Sequence, residues 1–329
     1  MTTRGDFLST MALGAGAAAI PVFPESLVRP PRLRRGDRVG LIAPASPPQH
    51  DDLALAVAHV ESLGLTVVLG EYVRAVENGY LAGSDAERAD DFNKMARDPS
   101  IRAIFSIRGG YGTMRILNEL DYAAIARDPK IVMGYSDLTA ILNAIAVRSR
   151  VMTFHGPVGA HGSLWNGLAR EYIARALMQT EPIGTLSIED AQRIASGRAR
   201  GRLAGGNLSL LAALTGTPFA VPSENTLFFF EETEEAPYRI DRMLTQLSLA
   251  GTLRAARGLL AGQCTKCTGD GPTAPAGEVI AQRLRGAGRP ALMGAPVGHV
   301  AMQWVLPIGA LAELDADEKT LTVLEPAVT

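Results

Sequence analysis

The chain has 329 residues, of which 47% are hydrophobic, 20% charged and 5% aromatic. This composition excludes a disordered, collagen-like or coiled-coil protein. The 32 basic and 34 acidic residues give a formal net charge of −2, so no overall field attracts the chain to nucleic acid or to an anionic membrane. We therefore expect a globular protein of about two domains that binds a small molecule and no nucleic acid.

The first 36 residues are predicted to be a signal-like leader and a linker. Arg4 precedes a small apolar run at 11–20, which is typical of a signal peptide and too short to span a membrane. The start also resembles a twin-arginine signal, but Gly5 stands in place of the second arginine. The pattern favours export to the periplasm or cell envelope over a cytoplasmic location, without stable membrane insertion. The glycines of the apolar run match a dinucleotide-binding pattern only formally, because no strand precedes them, so no cofactor is expected.

Residues 37–160 alternate apolar strands with helices, which is the pattern of a parallel sheet covered by helices. One helix begins at a capping box, where Glu87 follows Ser84 by three residues. Residues 161–202 contain a helix at 168–178 and then a polar stretch rich in glycine and arginine, and they are expected to connect two domains. Predicted strands are 39–43, 66–69, 103–107, 130–135 and 151–154, and predicted helices are 52–63, 84–97, 113–118 and 138–147.

Residues 203–329 are expected to form a second, β-rich domain, so the predicted fold class is α/β, with a parallel-sheet N-terminal domain and a β-rich C-terminal domain. Helices are predicted at 207–214 and at 238–249, the latter begun by Pro237 in its first turn. Strand candidates are 226–230, 258–261, 291–293, 310–314 and 320–324, with the last two joined as a hairpin.

Two cysteines, Cys264 and Cys267, form a C-x-x-C pair. A structural zinc site needs four ligands and the chain has no second cysteine pair, so no metal is expected. A catalytic redox pair opens a helix, whereas a loop with Gly269 and Pro272 follows this one. A local disulfide and two free thiols in a surface loop both stay open.

One serine lies where a buried strand turns into a helix. Ser136 follows the strand at 130–135 and stands two residues after Gly134. A sharp turn at such a point exposes the hydroxyl and directs the free amides of the helix start toward developing negative charge. Leu138 replaces the second glycine that is usual in this motif, so Ser136 is either a nucleophile or a helix cap.

A nucleophilic serine needs a base, and the chain has five histidines. His50, His59 and His161 are expected at the surface. His155 ends a predicted strand near the serine turn, where backbone groups could equally satisfy its ring. His299 follows a tight loop rich in glycine and proline, which gives a base rigid support.

An acid that orients the base is expected at the end of the buried run 228–230. Glu231 follows this run directly, and a carboxylate there needs a partner, although it is also an ordinary strand-end charge by pattern alone. Glu232, Glu234 and Glu235 are expected to be solvated loop charges.

Six short motifs occur in order along the chain, and together they resemble the serine LD-carboxypeptidases over about residues 37–326. That family includes muramoyltetrapeptide carboxypeptidases and microcin immunity peptidases. The motifs are Arg108-Gly109-Gly110-Tyr111-Gly112, Gly134-Tyr135-Ser136-Asp137, Gly205-Gly206-Asn207-Leu208, Phe230-Glu231-Glu232, Pro237-Tyr238-Arg239-Ile240-Asp241-Arg242 and Pro296-Val297-Gly298-His299.

The resemblance implies a role for each candidate residue. Two departures from the family pattern are Glu232, where many members carry aspartate, and the cysteine pair in a loop that usually lacks it. The implied assignments are Ser136 as the nucleophile, Glu231 as the orienting acid, His299 as the base, and the amides of Asp137 and Gly110 as the oxyanion hole.

The resemblance also implies a flavodoxin-like or amidotransferase-like N-terminal domain, a site between the domains that forms when they close, and frequently a homodimer. The implied reaction removes a C-terminal D-alanine from a peptidoglycan tetrapeptide through an acyl-enzyme. Arg108 and Arg239 are candidates for holding the anionic muropeptide, and this role stays open. The alternatives are a microcin-immunity-type peptidase that acts on peptidyl or aminoacyl nucleotides and a non-catalytic muropeptide-binding protein.

Overall fold

The structure is a computed structural model that describes residues 23–160, 165, 167–269 and 273–329. The leader up to residue 22 and His161 lie outside the described residues. None of the helices in the described ranges is both long and apolar enough to cross a bilayer.

The first sheet has five parallel strands in the order β2-β1-β3-β4-β5, which is the flavodoxin-like order. They are β1 (Arg38–Ile42), β2 (Thr66–Leu69), β3 (Ile101–Ser106), β4 (Ile131–Gly134) and β5 (Thr153–His155). The helices of this part are α1 (Asp52–Ser62), α2 (Asp85–Arg97), α3 (Thr113–Ile116), α4 (Tyr122–Arg127), α5 (Thr139–Arg148) and, beyond the sheet in sequence, α6 (Gly167–Met178).

Local sequence explains where α2 begins. Ser84 accepts a hydrogen bond from the backbone N–H of Glu87, and the Glu87 side chain accepts one from the backbone N–H of Ser84. This reciprocal pair satisfies two amides that a helix start leaves free. The predicted capping box is therefore confirmed.

The second sheet has eight strands in the order β6-β14-β13-β8-β9-β10-β11-β7, and β8, β9, β10 and β11 run parallel at its centre. Helices α7 (Leu208–Leu214), α8 (Pro237–Leu249), α9 (Thr252–Ala255) and α10 (Ala276–Ala287) lie in this half of the chain. The strands are β6 (Gly184–Ser187), β7 (Gln192–Ala195), β8 (Arg198–Asn207), β9 (Thr226–Thr233), β10 (Gly258–Thr265), β11 (Ala291–Met293), β13 (Leu311–Asp315) and β14 (Thr320–Val323). The two sheets confirm the predicted α/β class, and the predicted hairpin is the antiparallel pair β13 and β14.

The stretch 181–202 is not a plain connection between domains. It contributes β6, β7 and the start of β8, all of which belong to the second sheet. Its arginines alternate along β8 and pair with acids, in ion pairs that join Arg198 to Asp315, Arg200 to Glu313 and Arg202 to Glu325. The charged appearance of this stretch reflects the exposed face of a strand rather than a solvated linker.

Residues 23–36, which were expected to belong to a linker, also pack on the body of the protein. Phe23, Leu27 and Leu33 are buried in the main apolar cluster, and the N–H of Val28 donates to the carbonyl of Arg150 at 2.7 Å. These apolar side chains sit between the prolines and arginines that suggested solvent exposure.

The two sheets share the larger of two apolar clusters, and the other cluster packs α8 and α10 against the second sheet. A single buried cluster includes Phe105 and Ile141 of the first part and Leu203, Phe229 and Leu314 of the second. In addition β12 (Leu306–Ile308), which comes late in the chain, pairs antiparallel with β5 and completes the edge of the first sheet. The packing is that of one continuous body and not of two lobes separated by a hinge.

Hydrogen bonds also join the two parts close to the serine turn. The N–H of Asn207 donates to Thr139 Oγ1 at 2.8 Å, and Asn143 Nδ2 donates to the carbonyl of Gly205 at 2.8 Å. Gly206 has a φ of 144°, and a Cβ there would collide with the Thr139 side chain. The motif at 205–208 thus brings β8 directly against the start of α5.

Candidate active site

The turn after β4 holds Ser136 in a strained backbone conformation. Ser136 has a φ of 60°, in the left-handed region that side chains other than glycine rarely adopt, and it begins a short 3₁₀ turn that leads into α5. A Cβ on Gly134 would lie 2.8 Å from Leu138 Cγ, so the absence of a side chain at 134 is what leaves room for Leu138. The motif around Ser136 thus needs glycine at position 134 for space, whereas position 138, where a second glycine is usual, holds a leucine that packs in the core.

The loop at 108–112 passes next to this turn. A Cβ on Gly109 would lie 3.0 Å from Ser136 Cβ and 3.6 Å from the backbone nitrogen of Asp137. Gly110 has a φ of 114°, and a Cβ there would collide with the Ser46 side chain. Only a glycine loop can approach the serine and the adjacent amide so closely.

His299 and Glu231 form a hydrogen-bonded pair at the carboxyl ends of the central strands of the second sheet. His299 Nδ1 lies 2.8 Å from Glu231 Oε2, and the Glu231 side chain is completely buried. Gly298 has a φ of 105°, and a Cβ at this position would collide with the Glu231 carboxylate. Thr265 Oγ1 donates to the carbonyl of His299 at 2.8 Å, which fixes the loop from the other side.

Ser136 and His299 line the same cleft, which has a volume of about 270 Å³. The Tyr135 ring packs against the His299 ring with 4.8 Å between centroids, so the residue before the serine contacts the imidazole. The serine, which comes from the first sheet, and the histidine, which comes from the second, face one space without any closing motion. The other lining residues are Gln49, Asp52, Arg108, Gly109, Gly110, Tyr135, Val158 and Ala160.

Asp137 points away from solvent. It is 2% exposed, and its Oδ2 accepts a hydrogen bond from the backbone N–H of Thr113 at 2.8 Å. Burial raises the pKa of Asp137 to about 6, while the hydrogen bonds from Thr113 and the charge of Arg88 act in the opposite direction. The side chain supports the turn, whereas its backbone N–H lies beside the serine.

Two groups expected at the surface are buried. His59 stacks on the ring of Trp165 with 5.6 Å between centroids, and its Nδ1 lies 2.8 Å from the carbonyl of Gly159. The Glu232 carboxylate accepts hydrogen bonds from Asn207 Nδ2, from the N–H and the hydroxyl of Ser209, and from the N–H of Thr233. Because Asn207 and Ser209 lie at the start of α7, Glu232 holds that end of the helix in place. Burial raises the pKa of Glu232 despite these donors. Apolar periodicity did not reveal either site because both side chains are polar.

The remaining candidates take different places. His50 is fully exposed beside Asp51. Arg239 is 56% exposed and interacts with Glu235 and Tyr238. Cys264 and Cys267 form a disulfide, so the local disulfide left open by the sequence is the pairing in the structure. The described residues contain no cluster of three or more His, Cys, Asp or Glu side chains arranged to hold a metal ion.

Comparisons with known proteins agree on one family. Residues 39–156 match the LD-carboxypeptidase N-terminal domain, and residues 200–314 match the LD-carboxypeptidase C-terminal domain. The chain is 38% identical to a Bacillus subtilis protein named "Probable murein peptide carboxypeptidase", over 92% of this chain and 95% of that protein. It is 26% identical to the microcin C7 self-immunity protein MccF of Escherichia coli, over 88% of this chain and 94% of that one.

A solved structure shows the same fold. The muramoyltetrapeptide carboxypeptidase of Oxalobacter formigenes superposes with a TM-score of 0.76 at 26% identity, and the match covers 88% of this chain and 99% of that one. The fold and the matched domains define a hydrolase of the carboxypeptidase class. Specifically, the chain belongs to the LD-carboxypeptidase family.

Proposed function

We propose that this chain is a serine LD-carboxypeptidase that removes the C-terminal D-alanine of a peptidoglycan tetrapeptide. The observation that carries the proposal is that Ser136 and His299 line one cleft while His299 Nδ1 lies 2.8 Å from Glu231 Oε2. A serine hydroxyl is a weak nucleophile until an oriented base accepts its proton, and this is the arrangement that provides one. The names of the murein peptide and muramoyltetrapeptide carboxypeptidases support the substrate class.

In the proposed reaction His299 accepts the proton of Ser136 as Ser136 Oγ attacks the carbonyl of the L-configured centre. The backbone N–H groups of Asp137 and Gly110 donate to the developing oxyanion. The imidazolium then gives its proton to the leaving amine, and D-alanine departs. Water activated by His299 hydrolyses the acyl-enzyme, while Glu231 remains ionised and holds the imidazole in the required tautomer.

We assign the terminal carboxylate of the substrate to Arg108. Among the described residues that line the cleft, Arg108 is the only arginine or lysine. Its side chain is 31% exposed, donates to the carbonyl of Pro47 at 3.2 Å and lies 4.0 Å from Asp52 Oδ2, which leaves several N–H groups to bind an anion. A guanidinium binds a carboxylate through two parallel hydrogen bonds, which suits recognition of a free C-terminus.

The test is the release of D-alanine from a muropeptide tetrapeptide, followed by mass spectrometry. We expect Ser136→Ala to lower kcat/KM by about 10⁴ to 10⁶-fold with the fold retained, because the nucleophile is lost. Ser187→Ala, on the exposed side of β6, is the matched control and should keep full activity. Release by Ser136→Ala at a rate near that of the wild type would refute the proposal.

A second candidate is hydrolysis of a peptidyl or aminoacyl nucleotide, favoured by the similarity to the microcin self-immunity protein along nearly its whole length. The higher identity to the murein peptide carboxypeptidase favours the muropeptide. Turnover of a tetrapeptide and of an aminoacyl-sulfamoyl adenosine by the same preparation decides between them. Labelling by a fluorophosphonate that Ser136→Ala abolishes separates either enzyme from a non-catalytic muropeptide-binding protein.

We also propose that the chain is exported and forms a homodimer. The leader pattern of the first 20 residues supports export, and the family resemblance supports the dimer. The intact mass of protein recovered from the cell envelope and light scattering of the purified protein measure the two properties.

A further inference from the structure

A second histidine, His155, lies behind the proposed triad and has no role in the reaction described above. It ends β5, opposite Gly134 of β4 and Leu306 of β12, and it is completely buried. Its ring meets the Phe229 ring edge-on at 5.2 Å and the Tyr135 ring edge-on at 6.1 Å, both measured between centroids. Since Tyr135 also packs against His299, His155 belongs to the layer directly beneath the cleft.

Three polar atoms in this layer lack partners among the described residues, and one of them is Oε1 of Gln303, which lies next to His155. Phe229 and Glu231 are two residues apart on β9 and therefore point to the same face of the strand, so the carboxylate lies on the side that His155 contacts. Glu231 Oε2 is used by His299, but Glu231 Oε1 is buried without a hydrogen-bond partner among the described residues. His155 Nδ1 is buried without a partner in the same part of the chain. A buried donor and a buried acceptor that are both unused require an explanation.

His155 contacts Gln303, a fully buried residue four positions after His299. Gln303 Nε2 lies 3.4 Å from His155 Nε2. In this orientation of the Gln303 amide its nitrogen donates, so the matching tautomer of His155 accepts at Nε2 and carries the ring proton on Nδ1. Burial lowers the pKa of His155 to about 4, against the charge of Glu231, which raises it, so the ring is neutral at pH 7.

We propose that His155 is a positioning residue for the triad: its Nδ1–H supplies a hydrogen bond to Glu231 Oε1 as positive charge develops on His299, and Gln303 holds it in the donor tautomer. As a neutral donor, His155 steadies the carboxylate without competing with the imidazolium as a second cation. This inference rests on the proposed function, which makes His299 the base. The titratable groups that interact with Glu231 from the surrounding elements are His299, Tyr135 of the serine turn, His155 of β5 and Glu232 of β9 itself.

Three substitutions of His155 distinguish the effect of its Nδ1–H donor from the effect of the shape of its ring. His155→Asn places an amide N–H near the position of Nδ1, His155→Gln places its amide near Nε2 only, and His155→Phe keeps the ring without a donor. We expect kcat of the Asn variant to stay within about threefold of wild type, and kcat of the Gln and Phe variants to fall by about 10 to 100-fold with KM nearly unchanged. Thr153→Val, which removes a buried hydroxyl from the same strand, is the matched control and should affect stability only.

The pH profile tests positioning against a merely structural role. Without a donor on Oε1 the charged carboxylate is less stabilised and binds the imidazolium proton more strongly. The acid limb of kcat/KM should therefore move upward by about half a pH unit in His155→Phe and His155→Gln and stay in place in His155→Asn. Gln303→Met, which removes the amide that contacts His155 Nε2, should shift the acid limb of kcat/KM in the same direction by a smaller amount.

A measurement without substrate keeps this inference separate from the proposed function. At a pH low enough to protonate His299, the low-field proton resonance of the His299 Nδ1–H bonded to Glu231 should shift in the Phe and Gln variants and remain in the Asn variant. Wild-type activity and its loss in Ser136→Ala test the reaction itself. If His155→Phe keeps the wild-type resonance and pH profile, or if His155→Asn loses as much kcat as His155→Phe, the positioning role is wrong. Should His155→Phe fail to fold, the comparison of the Asn and Gln variants decides the same question.

Discussion

Arg108 is the single side chain at which we expect recognition of a free C-terminus to be decided. Wild type should hydrolyse a tetrapeptide with a free terminal carboxylate far better than its C-terminal amide. In Arg108→Gln, kcat/KM for the acid should fall by about 10² to 10³-fold while the amide changes little, because the lost interaction is a charge-assisted pair. Arg108→Lys should recover only part of the difference, since a single ammonium cannot form the two-point contact.

The control for this comparison is Arg127→Gln, which removes an exposed guanidinium at the end of α4. Its kcat/KM for both substrates should match that of the wild type. Equal losses on acid and amide in Arg108→Gln would show that Arg108 supports the cleft wall instead of the terminal carboxylate.

Asp137 should make the protein less stable as the pH rises. Burial raises the pKa of Asp137 from 3.8 to about 6. The folded state then binds more protons than the unfolded state between these values, so the contribution of Asp137 to stability falls as pH rises from about 4 to about 6. Asp137→Asn removes this dependence. The free energy of unfolding of the variant relative to wild type should increase by about 2 kcal/mol over that range, measured by urea denaturation. Parallel stability curves for the two proteins would contradict the assignment.

The sequence indicated the candidate residues Ser136, Glu231 and His299 more readily than their surroundings, and their roles in the reaction stay a proposal. Ser136 follows from a local pattern, a buried strand that turns into a helix. The pairing of Glu231 with His299 joins positions 68 apart and came from the family motifs, because no short-range pattern connects them. The burial of Asp137, the partners of Glu232 and the contact between Gln303 and His155 depend on tertiary packing, so they could be found only in the structure.

At the scale of one element, the serine turn depends on the fit between Gly134 and Leu138. A Cβ at 134 would lie 2.8 Å from Leu138 Cγ and 3.1 Å from Leu138 Cβ, so Gly134→Ala should destabilise the protein by about 1 to 3 kcal/mol through overpacking and lower kcat by displacing Ser136. In a Leu138→Ala background the same substitution should cost at least about 1 kcal/mol less. A thermodynamic cycle from urea denaturation measures this coupling. Gly286→Ala, where a Cβ meets open space within α10, is the matched control and should not destabilise the protein.

Strands with regular apolar runs were predicted well, and a charged strand was not. The bounds of β2 and β11 agree with the prediction residue by residue. The first half of β8 falls within the stretch at 161–202 that the sequence predicts to be a connection, because arginine and glycine dominate it. Its arginines nevertheless recur at every second position, from 198 to 202, which is the period of a strand with one exposed face. That alternation is the pattern that could have predicted β8 from sequence.

At the scale of the whole molecule, the site lies where the two sheets meet. Ser136 follows β4 of the first sheet, Glu231 lies on β9 of the second, and His299 follows β11. Shared core packing and the hydrogen bonds between α5 and β8 hold these strand ends in a fixed relation. The geometry of the cleft therefore depends on the apolar cluster that both sheets share, and the expectation that a closing motion assembles the site finds no counterpart in the packing.

The late strand β12 has a consequence for the biogenesis of the protein. Because residues 306–308 cover the outer edge of β5, the sheet that begins at residue 38 stays open on one side until almost the entire polypeptide has been synthesised. An uncovered strand edge is a template for association with other chains. The edge of β5 thus stays uncovered from the synthesis of residues 153–155 until that of residues 306–308, which spans nearly half of the chain. A strand from the last tenth of the sequence completes a sheet whose other strands all come from the first half.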